Sequence, residues 1–193
     1  MKIIVAISGA TGAIYGVRIL ERLREAGVET HLIISRWGAR TLLHETTYSR
    51  EQVESMASVT YAAADMGAAI SSGSFRTDGM VIAPCSAKTL AAVAHGFGEN
   101  LIHRAADVVL KERRRLVLVV REAPLSDIHL ENMLKLSRMG AVVLPPMPAF
   151  YNRPRTVDDI IDHTVSRVLD QFGLDVSGVE RWSGEMGVGQ EVD

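Results

Sequence analysis

Residues 2–20 read KIIVAISGATGAIYGVRIL, and the fold can be worked out from this stretch. The branched apolar run Ile3–Ile7 is typical of a buried parallel strand. It breaks at a glycine turn, residues 8–12, and the apolar residues that follow recur at helical spacing over Ala13–Glu25 before Gly27 ends the pattern. A strand, a tight turn and a helix in this order predict the start of a parallel α/β sheet.

The rest of the chain repeats this alternation. Further apolar runs predict strands at His31–Ile34, Met80–Ala83, Leu116–Val120 and Ala141–Leu144. Helical patterns between and after them cover Ser86–His95, Leu101–Glu112 and Asp127–Arg138. The segment Tyr48–Asp78, rich in Ala, Ser and Gly, has no clear pattern. The alternation predicts an α/β fold, a single-domain Rossmann-like or flavodoxin-like three-layer sandwich with a doubly wound parallel sheet. The domain is expected to span residues 1–181, followed by a C-terminal tail, residues 182–193.

Composition narrows the classes of protein that the chain can belong to. Of its 193 residues 47% are hydrophobic and 23% charged, and the formal net charge is -2, values near those of ordinary globular domains. This balance gives no reason to expect a nucleic-acid partner. Cys85 is the only cysteine, so the chain forms no internal disulfide and no multi-cysteine metal site. The apolar run after Met1 and Lys2 is too short for a signal peptide or a membrane span, and we expect a cytoplasmic protein with no membrane partner.

Polar residues follow the ends of the predicted strands. They occur at Ser8–Gly12, Ser35–Arg36, Pro84–Thr89 and Arg121–Glu122. In a doubly wound sheet the carboxyl ends of the strands share one edge, and ligands bind in the crevice outside it. The sequence therefore predicts a ligand site with hydroxyls, cations and a carboxylate at this edge.

The glycine turn has the properties of a phosphate-binding turn. Gly9, Gly12 and Gly16 allow a tight entry into a helix whose free N–H groups attract an anion. The spacing departs from the G-x-G-x-x-G dinucleotide pattern, and the second strand ends in Ser35-Arg36 rather than an acid, which disfavours NAD. Arg36 would suit the extra phosphate of NADP. A single phosphate, as in FMN, suits the turn better, with Ser35 and Ser86 placed to bond a ribityl chain. The alternative that the turn binds no ligand also remains.

Residues 84–154 read PCSAKTLAAVAHGFGENLIHRAADVVLKERRRLVLVVREAPLSDIHLENMLKLSRMGAVVLPPMPAFYNRP. Together with GATGAIYG at residues 9–16, they closely resemble the UbiX-type flavin prenyltransferases, including the B subunits of phenolic-acid decarboxylase systems. The resemblance extends to about Trp182. It implies metal-independent transfer of the dimethylallyl group of dimethylallyl monophosphate to N5 and C6 of reduced FMN, and delivery of prenylated FMN to a UbiD-type decarboxylase. It also implies a homo-oligomer, a dodecamer, with active sites between subunits.

The same resemblance implies roles for individual residues. FMN is expected to contact Gly9, Ala10, Thr11, Ser35, Ser86, Ala87, Lys88, Thr89 and Arg121. The substrate phosphate is expected to be bound by Lys111, Tyr151 and Arg167. Glu122 is expected to take up the protons released at the flavin, with Lys111 assisting the leaving phosphate and Glu45 as a second, buried carboxylate near the ring. Thr11 stands where the family usually has a serine, and its methyl adds bulk beside the phosphate or the prenyl group.

Several other patterns are given structural interpretations. Asp158–Asp162 matches the DDxxD motif of magnesium-dependent prenyl transfer, but its acids precede an apolar helix and are predicted to cap it. The histidines show no zinc-type spacing and are assigned core or solvated positions: His31, His44, His95, His103, His129 and His163. Cys85 is interpreted as a packing residue. Trp182 either covers a prenyl pocket or docks the tail.

Three rival functions remain. An FMN-dependent peptidyl-cysteine decarboxylase would share the fold, but that class carries an Asn- and Met-rich loop where this chain has PPMPAFYNRP. An NADP-dependent reductase would explain the glycine turn and Arg36, but not Lys111, Glu122 or Tyr151. A non-catalytic flavin carrier would keep the FMN residues and lose only turnover.

Overall fold

The computed structural model describes residues 1–175, 182 and 184, and these form a six-stranded parallel sheet flanked by helices. The strands are β1 (Lys2–Ile7), β2 (Glu29–Ile34), β3 (Val59–Ala62), β4 (Gly79–Cys85), β5 (Arg115–Val120) and β6 (Val142–Val143). The helices are α1 (Ala13–Glu25), α2 (Arg36–Glu45), α3 (Arg50–Glu54), α4 (Ala87–His95), α5 (Leu101–Lys111), α6 (Asp127–Arg138) and α7 (Val157–Asp170). The described part of the chain contains no helix with the length and apolar character needed to cross a lipid bilayer.

The strand order is β3-β2-β1-β4-β5-β6, and all pairs are parallel. The chain reverses its direction of winding between β1 and β4, which is the switch point where such folds bind ligands. Each face of the sheet has its own apolar core. One core joins the sheet to α1 and α7, and the other joins it to α4 and α5. The three-layer, doubly wound α/β fold predicted from the sequence is confirmed.

The predicted strands are confirmed with small changes at their ends. The helices predicted over Ala13–Glu25 and Asp127–Arg138 have those bounds in the structure. A strand and two helices, β3, α2 and α3, were not predicted. The strand β3 lies at the sheet edge with mostly exposed residues, and α2 buries only Gly38 and Leu42. Elements that bury so little lack the apolar periodicity that sequence analysis depends on.

The boundary placed between a domain and a tail falls at residues 181 and 182. Residues 176–181, 183 and 185–193 lie outside the described residues, so the structure does not test that division. Trp182 is described, and its ring lies edge-on to that of Tyr151, with centroids 5.8 Å apart.

Candidate active site

Three helices begin at the carboxyl edge of the sheet, directly after neighbouring strands. Helix α1 follows β1, α2 follows β2 and α4 follows β4. Ser35 caps α2 by accepting a hydrogen bond from the N–H of Gly38 (2.9 Å), and Ser86 caps α4 by accepting one from Thr89 (3.2 Å). The positive ends of three helix dipoles therefore meet around the β1–β4 switch point, an arrangement that favours an anion.

Ser8 fixes the two central strands at this edge. Its buried hydroxyl donates to the carbonyl oxygen of Pro84 (2.8 Å) and accepts from the N–H of Ser86 (2.8 Å). The end of β1 is thus tied to the turn that starts α4. Ser8 is a scaffold residue whose role the sequence did not reveal.

Two glycines let the turns approach each other closely. A Cβ at Gly9 would lie 2.4 Å from the Cβ of Trp37, and one at Gly38 would lie 2.4 Å from the carbonyl oxygen of Ile7. Gly12 precedes α1 with φ +97°, a conformation that side chains rarely adopt. The close packing of these segments therefore requires glycine at positions 9 and 38, and Gly12 has the tight-turn conformation that the sequence predicted.

Glu45 occupies the N-terminus of α1. Its carboxylate Oε2 accepts hydrogen bonds from the N–H groups of Gly12 (2.7 Å) and Ala13 (3.1 Å). The residue is exposed, so the expectation that it is buried is wrong: it ends α2, on the solvent side, and reaches across to the neighbouring helix. In this structure the glycine turn binds a carboxylate of the same chain, while the N-termini of α2 and α4 face the crevice beside it.

Arg121 and Glu122 lie at the end of β5 and are both exposed. The backbone N–H of Arg121 bonds the carbonyl of Cys85 (3.1 Å), which holds β5 against β4 beyond their last paired residues. Glu122 accepts a hydrogen bond from the N–H of Ala123 through Oε1 (3.1 Å). A cation and a carboxylate therefore stand together beside the dipole ends of the crevice.

Tyr15 lies in the same region and was missed by the sequence analysis. Burial raises the pKa of its phenol, while a hydrogen bond from Thr164 and the charge of Arg121 act in the opposite direction. Its ring packs beside Gly12. Tyr15 thus links the glycine turn, the end of β5 and α7. Only its place in the first turn of α1, next to the glycines, could have drawn attention to it.

Lys88 and Thr89 lie in the first turn of α4. Thr89 is buried, and its hydroxyl accepts a hydrogen bond from Ser86 (3.0 Å). The exposed Lys88 pairs with Glu99 (3.2 Å). All residues predicted to contact FMN lie on the carboxyl edge of the sheet. Besides Lys88 and Thr89, they are Gly9, Ala10, Thr11, Ser35, Ser86, Ala87 and Arg121.

Tyr151 and Arg167 are brought close to a common neighbour on α7. The Tyr151 hydroxyl lies 2.7 Å from Nε2 of His163, and Arg167 lies one helical turn after that histidine. Burial lowers the pKa of His163, and the charge of Arg167 lowers it further, against the influence of Asp170. The side chain of Arg167 is largely exposed and bonds Asp170 (2.9 Å).

Lys111 lies at the opposite edge of the sheet. It ends α5, just before β5 begins at Arg115, and its Nζ pairs with Glu112 (2.6 Å) near Gly73. Since β5 has six residues, Lys111 is about 20 Å from Glu122 along the strand direction of the same chain. One copy of the chain therefore does not bring Lys111 to the other predicted site residues.

The acids of the DDxxD pattern are bound by other groups. Arg18 of α1 donates to Asp158 (2.8 Å) and to Asp162, while Asp159 accepts from the N–H groups of Arg155 and Thr156 (2.8 Å each). The predicted capping role is confirmed for Asp159, which forms a capping box with Thr156, whereas Asp158 and Asp162 bind Arg18 instead. Residues 1–175, 182 and 184 contain no cluster of three or more His, Cys, Asp or Glu side chains able to hold a metal ion.

Cys85 has the packing role that the sequence predicted. Its side chain is fully buried in the core beneath α4 and α5, and burial raises the pKa of its thiol to about 12. A thiol so hard to ionise is a poor nucleophile.

Comparison with known proteins agrees with this geometry. The Flavoprotein family model matches residues 1–169. A probable UbiX-like flavin prenyltransferase from Streptomyces sp. (strain D7) is 62% identical over 185 residues, which cover 95% of this chain and 92% of that protein. The chain belongs to the UbiX-like flavin prenyltransferase family.

Two solved structures of this family superpose closely on the chain. The dodecameric FMN-dependent UbiX-like decarboxylase from Escherichia coli O157:H7 is 59% identical, covers 95% of this chain and 100% of its own, and gives a TM-score of 0.94. AnUbiX (PadA1), solved with FMN and dimethylallyl pyrophosphate, is 53% identical, covers 96% of this chain and 98% of its own, and gives a TM-score of 0.95. The family resemblance predicted from the sequence is confirmed.

Proposed function

We propose that this chain joins the dimethylallyl group of dimethylallyl monophosphate to N5 and C6 of reduced FMN, and that a UbiD-type decarboxylase uses the product. The observation that carries the proposal is the carboxyl edge of the sheet, where three helix N-termini meet a neighbouring cation and carboxylate, in a chain 62% identical to a probable UbiX-like flavin prenyltransferase.

The residues present fit FMN. The N-termini of α2 and α4, capped by Ser35 and Ser86, offer N–H groups and hydroxyls to a phosphate and a ribityl chain. Gly9 and Gly38 let the turn after β1 and the start of α2 pack against each other at this edge, since a Cβ at either position would collide with the neighbouring segment. When bound, reduced FMN supplies the nucleophilic nitrogen and carbon to which the prenyl group is joined.

The chain's own residues then have three tasks. Lys111, Tyr151 and Arg167 hold the phosphate and stabilise its charge as the carbon–oxygen bond breaks. Glu122 accepts the protons released as the bonds at N5 and C6 form. Arg121 holds the flavin beside that carboxylate. Glu45 keeps the glycine turn in place through two backbone N–H groups, a supporting role that its observed contacts favour.

We also propose that copies of the chain complete each other's sites, in a dodecamer of the kind named for the Escherichia coli relative. Lys111 lies too far from Glu122 in its own chain to serve the same phosphate, so a second copy would supply it. Large apolar side chains are exposed on α6 and in the loop after β6, among them Ile128, Leu134, Met147 and Phe150. Such exposed apolar surface is typical of a subunit interface.

Anaerobic incubation of the purified protein with reduced FMN and dimethylallyl monophosphate tests the proposal. We expect the flavin to gain the mass of one five-carbon prenyl unit and its absorbance to change. An unchanged flavin mass in a protein that still binds FMN would overturn the transferase assignment. Loss of CO2 from a cysteine-terminated peptide, with oxidised FMN reduced in step, would instead favour the cysteine-decarboxylase class. We also propose that the protein is cytoplasmic, a location whose reducing conditions suit a chain with a single cysteine.

A further inference from the structure

Tyr151 is held on two sides. Its hydroxyl lies 2.7 Å from Nε2 of His163, and its ring meets that of His163 edge-on at 5.5 Å. The ring of Trp182 packs on it at 5.8 Å, also edge-on. His163 is only 8% exposed, whereas Tyr151 is 49% exposed. The tyrosine therefore faces solvent with its hydroxyl fixed by a group that is itself buried.

His163 also lies beside the second residue expected to bind phosphate. Arg167 follows it by four positions on α7, which places both side chains on one face of the helix. Arg167 is exposed and His163 is not. A phosphate at this surface would meet Arg167 and Tyr151 directly, and His163 only through the tyrosine.

The direction of the Tyr151–His163 hydrogen bond determines what the tyrosine offers to an anion. A phenol has one proton to donate. If Nε2 accepts that proton, only lone pairs of the tyrosine oxygen face the phosphate. If Nε2 carries the hydrogen and donates it to the tyrosine oxygen, the phenol proton is free to be donated to a phosphate oxygen.

We propose that His163 is a positioning residue for the substrate phosphate, donating from Nε2–H to the Tyr151 oxygen so that the Tyr151 hydroxyl donates to the phosphate. This inference rests on the proposed function, because it takes Tyr151 as a ligand of the dimethylallyl monophosphate. It assigns a task to a histidine for which the sequence predicted only a core or solvated position.

Three variants of the full-length, FMN-loaded protein test the inference: His163→Phe, His163→Gln and Tyr151→Phe. Phenylalanine keeps the ring and removes the hydrogen bond, while glutamine keeps an N–H donor. We expect His163→Phe to raise KM for dimethylallyl monophosphate about tenfold, the effect of one hydrogen bond to a charged group, with kcat changed far less. His163→Gln should recover most of the loss. In the Tyr151→Phe background, His163→Phe should have no further effect.

The matched control is Tyr61→Phe. Tyr61 bonds Nδ1 of the buried His31 at 2.9 Å, a similar pair on β2 and β3, and its loss should leave KM unchanged. If His163→Phe does not fold, His163→Met replaces it. A wild-type KM in His163→Phe, or an equal rise in KM with and without the Tyr151 hydroxyl, would overturn the inference.

Calorimetric binding of inorganic phosphate to the same variants separates this inference from the proposed function. If the wild type binds phosphate but transfers no prenyl group, the proposed function fails, and the His163 assignment is then judged by affinity alone. We expect about tenfold weaker phosphate binding in His163→Phe, again only when Tyr151 is present. Equal affinity in the wild type and His163→Phe would contradict the assignment whatever the turnover.

Discussion

Single hydroxyl groups at the carboxyl edge hold backbone groups in place before any ligand binds. Ser8 bridges β1 and the start of α4, while Ser35 and Ser86 cap two helices. The sequence predicted Ser35 and Ser86 as contacts of a ribityl chain, and the structure shows that they also define the helix ends. The side chains predicted to bind the ligand at this edge are therefore also ones that shape the local fold.

Ser8→Ala should destabilise the protein by about 1–3 kcal/mol, because the N–H of the partly buried Ser86 loses its acceptor. Urea unfolding at a fixed protein concentration measures this loss. Ser55→Ala removes a hydroxyl that donates to Gln52 at an exposed site, and it should change the free energy of unfolding by less than about 0.5 kcal/mol. Equal effects of the two changes would show that the bridge does not stabilise the edge.

Glu122→Gln should keep FMN bound and lose most turnover, since the amide has the shape of the carboxylate but does not accept a proton. A loss of about 100-fold or more in kcat is the usual size of such an effect. Flavin absorbance of the purified variant gives occupancy, and anaerobic single-turnover assays give the rate. Normal turnover would assign the proton transfer to another group.

At the scale of elements, α1 and α7 are joined by an ion-pair network. Two acids of the DDxxD pattern take part in it, so they bind an arginine of the same chain and not a metal ion. Arg18 contacts Asp158, Asp162 and Glu21. Burial is the largest single influence on the pKa of the Arg18 guanidinium, and it lowers that pKa. The contacts with the carboxylates together outweigh burial and raise the pKa above its ordinary value. Because α1 carries Tyr15 and α7 carries His163, the network sets the relative position of two helices that reach the site.

Arg18→Met should lower the free energy of unfolding by about 1–2 kcal/mol, because two carboxylates lose hydrogen bonds from a charged donor. Arg50→Met, which breaks one partly exposed pair with Glu54, should cost less than about 0.5 kcal/mol. Chemical denaturation of both variants gives the comparison. A cost for Arg18→Met no larger than that for Arg50→Met would show that the network does not join the helices.

The sequence predicted most elements because their residues are strongly apolar on one or both faces. Helix α1 and strand β5 are examples in which periodicity and burial agree. It missed β3, an exposed edge strand, and α2, which has few buried residues. Such elements are held by pairing with neighbours in space, which the local pattern does not contain.

The site was predictable only where the strand ends define an edge. Ser35, Ser86 and Arg121 follow predicted strands, and they lie together in the structure as that rule requires. The contact between Glu45 and the glycine turn joins two segments 33 positions apart. The prediction that Glu45 is buried was wrong, because the residue is exposed. The Tyr151–His163 pair depends on how a loop packs on α7, which periodicity does not specify.

At the scale of the whole molecule, one copy of the chain carries the proposed site residues at two opposite edges of the sheet. The carboxyl edge carries Arg121 and Glu122, and the amino edge carries Lys111. Because the length of a strand separates these residues in one chain, we propose that they meet only between copies. The exposed apolar residues of α6 provide a surface on which such copies can pack.

Subunit complementation tests most directly whether one prenyl-transfer site is built from two copies. Lys111→Ala and Glu122→Gln are each expected to be inactive as homo-oligomers. Co-expressed at equal amounts, they should form mixed assemblies in which about a quarter of the sites combine an intact Lys111 with an intact Glu122, if random mixing places them on different copies. Recovery near that fraction of wild-type prenyl transfer is the predicted result. Mixed assemblies as inactive as the two parents would contradict a site shared between copies.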